Sequence, residues 1–177
     1  MKLPNYLEKL SALPRTIAEA SKLYGTKEAP GERDNPEIRA WRDELNAAGK
    51  QIHGYGGDEV PWCGLFAAIV CHRAGKEIVK EPLWARNWAK FGVKSPQAGL
   101  GDVLVFSRGS SGHVGFYVGE DKLCYHVLGG NQSDMVNVTR VDKARLITAR
   151  RPIYKTMPAT VMPYRLLPSG GISTNEA

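Results

Sequence analysis

The sequence predicts an α+β domain in which helices come first and an antiparallel sheet of about five or six strands follows. Up to Gly101, apolar residues recur at spacings of three and four, which is typical of amphipathic helices. After Gly101 the apolar runs are short and rich in β-branched residues, with turn residues between them. The chain has 177 residues, of which 42% are hydrophobic and 24% charged. This composition can bury one core of ordinary size.

Composition and charge exclude several classes of protein. The 24 Lys and Arg exceed the 18 Asp and Glu and give a net charge of +6. No long run of like charges and no zinc-finger spacing accompanies that excess, so we expect no nucleic-acid binding. The most apolar run, Leu65–Cys71, is far shorter than the roughly 20 residues of a membrane span, so we expect no stable membrane insertion. The three cysteines are an odd number and cannot form a closed disulfide framework.

The first helices are predicted from their start and stop signals. Residues 1–24 are expected to be helical with a break before Pro14, because proline suits a first helical position, and Gly25 ends the segment. Asn35-Pro36-Glu37 combines a capping residue, a proline and an acid, which indicates a second helix start. That helix ends at Gly49. Its apolar stripe consists of Ile38, Trp41 and Leu45.

A central helix is predicted after the polar, glycine-rich loop of residues 50–60. It covers residues 61–74, is apolar on every side and is therefore expected to be buried. A short helix over residues 83–91 follows, in which Trp84 is expected to pack into the core.

Five strands are predicted in the second half from their β-rich runs: Asp102–Phe106, His113–Gly119, Leu123–Leu128, Met135–Val141 and Leu146–Arg150. The last residues of the chain contain prolines and glycines but few apolar residues, so we expect a tail there. The predicted organisation is an N-terminal helical extension over 1–24, a catalytic domain over 25–153 and a C-terminal tail over 154–177.

Cys63 is the first residue of interest for chemistry because it lies where the glycine-rich loop enters the central helix. A thiol in the first helical turn is next to unpaired backbone N–H groups and the positive end of the helix dipole, which lower a thiol pKa. The same N–H groups can bind the oxyanion that forms when a thiolate attacks a carbonyl. The alternative is that Cys63 is a small core residue.

A thiolate nucleophile needs a base, and the chain has four histidines, namely His53, His72, His113 and His126. His113 is the preferred base because it begins a strand directly after a flexible polar loop. The sheet would hold its ring while the loop leaves a cleft open. A solvated turn histidine is the alternative interpretation.

A third group is needed to orient the imidazole. The turn of residues 129–134 contains two chemically suitable side chains, Asn131 and Asp134. An ordinary Gly-Gly-Asn turn without a catalytic role is the alternative.

The order of these motifs resembles a known family. The motifs are Pro61-Trp62-Cys63 at a helix start, Gly101-Asp102-Val103-Leu104-Val105-Phe106, Gly112-His113-Val114-Gly115-Phe116-Tyr117-Val118-Gly119 and Leu128-Gly129-Gly130-Asn131-Gln132-Ser133. Together they resemble the CHAP-type and NlpC-like cysteine hydrolases of peptidoglycan. An upstream pair, Glu28-Ala29-Pro30-Gly31 and Asn35-Pro36-Glu37-Ile38, is similar to a small phage-associated group within them. The resemblance covers about residues 23–152.

The resemblance implies a papain-like fold and a role for each motif. Cys63 would be the nucleophile, His113 the base and then the acid, and Asn131 the orienting residue, with Asp134 as its substitute. Many relatives carry an acid where this chain has Gly129. Many also carry glutamine where this chain has Trp62, so the backbone N–H of Cys63, helped by Tyr55, is expected to bind the oxyanion.

Four residues are predicted to bind substrate, namely Tyr55, Asp58, Glu59 and Trp62. The two acids would bind the free amine of a stem peptide, or remain solvated without a role. Trp62 would line the cleft, and lining the cleft is the alternative to core packing for Trp84.

The predicted function is therefore hydrolysis of amide bonds in peptidoglycan stem peptides, as an amidase or endopeptidase. A catalytically inactive wall-binding or structural module of a phage or secretion machine is the alternative. A metal protein that uses Cys63, Cys71 and Cys124 is disfavoured by the absence of close cysteine pairs. We expect a monomer that needs no cofactor, with a cognate inhibitor or an export partner as a further partner. No signal sequence is visible, so synthesis in the cytoplasm is expected, followed by release or assisted export to the wall.

Overall fold

The computed structural model describes residues 4–10, 12–29, 34–57, 60–168 and 170–173. The described part contains the helices α1 (Asn5–Glu8), α2 (Arg15–Lys22), α3 (Pro36–Ala47) and α4 (Cys63–Arg73), and the 3-10 helices Ala85–Lys90 and Lys143–Arg145. The break predicted before Pro14 is confirmed between α1 and α2. At the start of α3, the Asn35 side chain accepts a hydrogen bond from the Glu37 N–H at 2.7 Å, as the capping signal predicts.

The strands form a single sheet. They are β1 (Val93–Lys94), β2 (Val103–Arg108), β3 (Ser111–Glu120), β4 (Cys124–Gly129), β5 (Asn137–Asp142), β6 (Leu146–Arg151) and β7 (Ile172–Ser173). Their order in the sheet is β1-β6-β2-β3-β4-β5-β7. The α+β class and the five predicted strands, which correspond to β2–β6, are confirmed.

The predicted strand number and the purely antiparallel arrangement are wrong. The described sheet has seven strands and is mixed, because β7 pairs in parallel with β5. The two additional strands, β1 and β7, have two residues each. A segment of two residues has no hydrophobic period to read, and its strand conformation arises only from pairing at the edge of the sheet.

Two clusters of buried apolar residues cover the two faces of the sheet. The larger one joins α2, α3 and α4 to inward-facing residues such as Val105, Val114 and Phe116. The smaller one lies on the opposite face and includes Phe106 and Tyr117. Residues Cys63–Cys71 of α4 are all buried, which confirms the predicted central helix, although it begins at Cys63 rather than at residue 61. This packing holds the first turn of α4 against β3.

Residues 83–91 differ from their prediction in two ways. The helix there is a 3-10 helix, Ala85–Lys90, rather than an α-helix. Trp88 and Phe91 are buried, whereas Trp84 is 70% exposed, so its predicted core position is wrong. The predicted spacing assumes that all three aromatic residues are helical, whereas Trp84 precedes the helix with an extended backbone.

Both predicted extensions contact the sheet domain. Ile17 and Ala20 of α2 belong to the larger cluster. From the C-terminal segment, the Tyr164 carbonyl accepts a hydrogen bond from the Glu120 N–H at 2.8 Å, and the Thr160 hydroxyl donates to the Ala12 carbonyl at 2.6 Å. The described residues of the two predicted extensions therefore pack against the domain formed by residues 25–153.

Candidate active site

Cys63 is the first residue of α4 and is 2% exposed. The backbone of residues 82–83, which follow α4 in the chain, approaches this turn closely. A Cβ atom added to Gly64 would lie 2.2 Å from the Pro82 carbonyl oxygen and 2.8 Å from that of Leu83. The glycine after the cysteine is therefore required by the close approach of this segment, which places Leu83 and Trp84 beside Cys63.

A cleft of about 300 Å³ reaches Cys63. Its walls come from the loop before α4, from the segment around Trp84 and from the turn between β2 and β3. The lining residues include His53, Leu83, Trp84, Arg86 and Arg108. An exposed aromatic ring and two guanidinium groups thus lie at an opening that leads to the thiol.

Burial raises the pKa of the Cys63 thiol above its ordinary value. Hydrogen bonds from the backbone of Val114, Gly64 and Cys63 itself, together with the charge of Arg108, act in the opposite direction but do not compensate. The sequence predicts a lowered pKa from the helix start, and that prediction is wrong for the free protein. The backbone N–H groups at the helix start lower the thiol pKa as expected, but the loss of water around the buried sulfur raises it by more.

His113 lies on β3 directly before Val114, the residue whose backbone contacts the Cys63 sulfur. Adjacent positions of β3 therefore carry the backbone contact to the Cys63 sulfur and the base candidate, and His113 itself pairs across the sheet with Phe106 of the smaller cluster. The side chain of His113 is completely buried. Its Nε2 atom lies 3.0 Å from Oε1 of Gln132.

Gln132 is fixed on all sides by hydrogen bonds. Its Nε2 atom donates to the carbonyl oxygens of Asn137 at 2.8 Å and Val127 at 3.2 Å. Its Oε1 atom accepts from the Thr139 hydroxyl at 2.9 Å. Since carbonyl oxygens only accept, the amide nitrogen must face them and Oε1 must face His113.

This orientation decides the tautomer of the imidazole. An oxygen that only accepts requires a proton on Nε2 of His113, so the neutral ring carries its lone pair on Nδ1. The side chain that binds His113 Nε2 is that of Gln132 rather than that of Asn131 or Asp134. Asp134 is exposed, and the backbones of both predicted residues are left-handed, with φ of 54° for Asn131 and 58° for Asp134.

Gly129 gives the reason for this difference. A Cβ atom there would lie 2.8 Å from Gln132 Oε1 and 3.2 Å from His113 Nε2. The Gln132 amide thus occupies the space beside residue 129, where many members of the resembled family carry an acid. In the sequence, a glycine at position 129 followed three residues later by glutamine is the pattern that could have pointed to Gln132.

The predicted substrate-binding residues have different locations. Trp62 is completely buried, and its Nε1 atom donates to Glu28 Oε1 at 2.6 Å, so its predicted place in the cleft wall is wrong. That bond links the upstream motif to the residue before Cys63. Tyr55 is 5% exposed and packs in the larger cluster. Asp58 and Glu59 lie outside the described residues.

A second histidine takes part in a structural cluster. Asp121 accepts hydrogen bonds from His126 Nε2 at 2.9 Å and from Arg140 Nε at 2.8 Å. The described His, Cys, Asp and Glu side chains form no group of three or more that could hold a metal ion. In the described ranges, no helix is both long and apolar enough to cross a membrane.

Comparisons with family models and with curated proteins identified no relative of this chain. The chain matches no family model, and no curated protein matches it significantly.

Proposed function

We propose that this protein is a cysteine-dependent hydrolase that cleaves amide bonds of peptidoglycan stem peptides, as an amidase or endopeptidase of papain-like fold. The observation that carries the proposal is the arrangement of Cys63, His113 and Gln132. A thiol at a helix start, at the end of a cleft, contacts the strand position next to a histidine whose Nε2 is bound by an amide oxygen.

The reaction proceeds in two steps. His113 Nδ1 takes the thiol proton while the sulfur attacks the amide carbonyl and a C–S bond forms. The protonated imidazole then gives its proton to the leaving amine as the C–N bond breaks. Water attacks the thioester with His113 again as base, the C–S bond breaks and the thiol is restored. The products are a carboxylic acid and an amine, and backbone N–H groups of the first turn of α4 bind the oxyanion.

The raised pKa of the Cys63 thiol favours one version of this mechanism. In the free protein the sulfur stays protonated near neutral pH, so its proton leaves only when substrate is attacked. Gln132 supports this transfer because it keeps the acceptor lone pair on Nδ1 and stabilises the imidazolium that forms. His113 therefore removes the thiol proton while the sulfur attacks the substrate, rather than before the substrate binds.

Peptidoglycan is proposed as substrate because of the motifs that resemble its cysteine hydrolases. Two features are compatible with it. The net charge of +6 suits an anionic wall. Trp84, 70% exposed at the cleft, offers an aromatic face for a sugar ring or peptide.

Lysis of purified cell walls tests the proposal. Wild-type protein should lower the turbidity of a wall suspension, and Cys63→Ala should abolish this loss without unfolding the chain. Cys71→Ala is the matched control because Cys71 is also buried in α4 but does not line the cleft. Mass spectrometry of the released fragments identifies the bond. Equal lysis by wild type and Cys63→Ala would refute the proposal.

A wall-binding module without turnover is the second candidate. The feature that favours it is the burial of Cys63, 2% exposed, together with its raised pKa, as for an inert core cysteine. A small thiol-reactive probe on the native protein separates the two functions. An active site should label Cys63 faster than Cys71 and Cys124, whereas equal slow labelling supports the inactive module.

A further inference from the structure

The cleft beside Cys63 is lined by two cationic side chains. Arg86 and Arg108 both line it, and no acid occurs among the described residues that line it. Arg86 uses its guanidinium to hold the turn between β2 and β3, with Nε donating to the Ser111 carbonyl at 2.9 Å and Nη2 to the Gly109 carbonyl at 3.2 Å. This turn, and Arg108 at its start, are therefore fixed in position.

Arg108 is the last residue of β2 and has unused hydrogen-bonding capacity. Its Nε atom makes one long contact, 3.5 Å, with the Ser111 hydroxyl. Its Nη1 atom is shielded from solvent, yet within the described part of the chain it has no hydrogen-bond partner. A shielded cationic donor gains free energy when it binds an acceptor, so Nη1 of Arg108 is suited to bind an anionic group that enters the cleft.

We propose that Arg108 binds a carboxylate of the substrate, carried by the residue next to the scissile amide. The substrate class is then a stem peptide with a free acid at that residue rather than its carboxamide. This inference rests on the proposed function, because it assigns selectivity to the same cleft.

A carboxylate fits the geometry better than a neutral group. The guanidinium presents parallel N–H donors that match the two carboxylate oxygens. Leu83 and Trp84 also line the cleft and make part of its surface apolar. Arg108 and Cys63 line the same cleft, and the charge of Arg108 lowers the pKa of the Cys63 thiol. A carboxylate bound there would lie close to the carbonyl under attack.

The test uses two synthetic stem peptides that differ only in a free carboxylate or a carboxamide next to the scissile bond. Wild-type protein should cleave the acid with a kcat/KM about tenfold to a hundredfold higher than the amide, as expected for a charge-assisted hydrogen-bonded pair. Arg108→Gln should remove this ratio mainly through KM. Arg108→Lys should retain part of it, because the charge remains but the paired donors do not. Arg165→Gln removes the same charge from a side chain that is 71% exposed and outside the cleft, and should keep the full ratio.

The outcomes separate this inference from the proposed function. Equal cleavage of both peptides by wild type, or an equal loss on both in Arg108→Gln, would overturn the carboxylate site while leaving the hydrolase in place. The second result would mean that Arg108 acts only on the sulfur.

Binding to Cys63→Ala by calorimetry tests the site without turnover. Tighter binding of the acid than of the amide, lost in the Cys63→Ala/Arg108→Gln double variant, supports the site even if wild type cleaves neither peptide. Equal binding of both peptides, or no binding of either, overturns it. Thermal unfolding checks that each variant is folded.

Discussion

Gln132 Oε1 lies 3.0 Å from His113 Nε2 and 2.9 Å from the Thr139 hydroxyl, so one amide oxygen joins β3 to β5 at the candidate active site. Asn137 completes the arrangement, because its Nδ2 donates to the Gln132 carbonyl at 2.9 Å while its own carbonyl holds the Gln132 amide nitrogen. The orientation of the imidazole therefore depends on a chain of hydrogen bonds that ends in the backbone.

Replacing Gln132 by leucine should lower kcat on cell-wall peptides by about tenfold to a hundredfold, with little effect on KM. The reason is the loss of one hydrogen bond to a ring that becomes charged during catalysis. The acidic limb of the pH–rate profile should move to lower pH, because an imidazolium without its acceptor loses its proton more easily.

Steady-state kinetics across pH measure both effects. Thr139→Val, which removes only the second contact of Oε1, should have a smaller effect. A Gln132→Leu variant with unchanged kcat and pH profile would show that Gln132 has a packing role only.

Gly129→Ala should impair activity through Gln132. The new methyl group would lie 2.8 Å from Gln132 Oε1, so the amide has to move away from His113. We expect a loss of about 1–3 kcal/mol in the free energy of unfolding, as for other overpacked sites, together with a fall in kcat. Gly56→Ala is the control, because a Cβ atom there meets nothing within 4 Å. Unchanged melting temperature and activity in Gly129→Ala would contradict the packing described here.

Gly64→Ala should destabilise the protein because its Cβ atom would lie 2.2 Å from the Pro82 carbonyl oxygen. The backbone cannot yield as a flexible side chain would, so the segment with Leu83 and Trp84 has to move from α4. We expect a loss of about 1–3 kcal/mol by chemical denaturation. Tryptophan fluorescence should shift if Trp84 moves; wild-type stability and fluorescence would refute the close approach.

Alkylation of Cys63 should become faster as pH rises beyond the ordinary thiol value of about 8.5, because burial raises the pKa of this thiol and only its thiolate reacts. Arg108→Gln should move the profile to still higher pH, since the guanidinium favours the thiolate. The raised pKa also means that stability is unaffected below the ordinary value and falls above it, because only the unfolded chain then ionises. Mass spectrometry of labelled Cys63 gives the profile; rapid labelling at pH 6 would contradict it.

Asp121→Asn should cost about 3 kcal/mol of stability, in the range for breaking a buried ion pair. Arg140, His126 and the N–H groups of Leu123 and Cys124 all donate to this carboxylate, and the Arg140 contact is the largest cause of its strongly lowered pKa. A lowered folded pKa contributes stability that is fully present above the ordinary aspartate value of about 4 and is lost as pH falls below it. Denaturant titrations from pH 7 to pH 2 should therefore show a smaller acid-dependent loss in Asp121→Asn than in wild type. Equal acid sensitivity of the two proteins would contradict this assignment.

The main elements were predictable because their signals are local. Caps, prolines and apolar spacing identify α3 and α4, and short β-rich runs between turn residues identify β2–β6. Cys63 at a helix start and His113 in the first residues of a strand were accessible in the same way. The two-residue strands β1 and β7 were not, because pairing at a sheet edge rather than their own sequence makes them strands.

The sequence by itself determined which residues can do chemistry and on which elements they lie, because residue type and hydrophobic period are properties of short segments. Only the tertiary structure decided that Gln132 rather than Asn131 binds His113, that Trp84 is exposed while Trp62 is buried, and that the Cys63 thiol has a raised pKa. Each of these depends on which atoms from distant segments occupy the space around a side chain. That occupancy sets hydrogen-bond partners and solvation, and neither is encoded in local spacing.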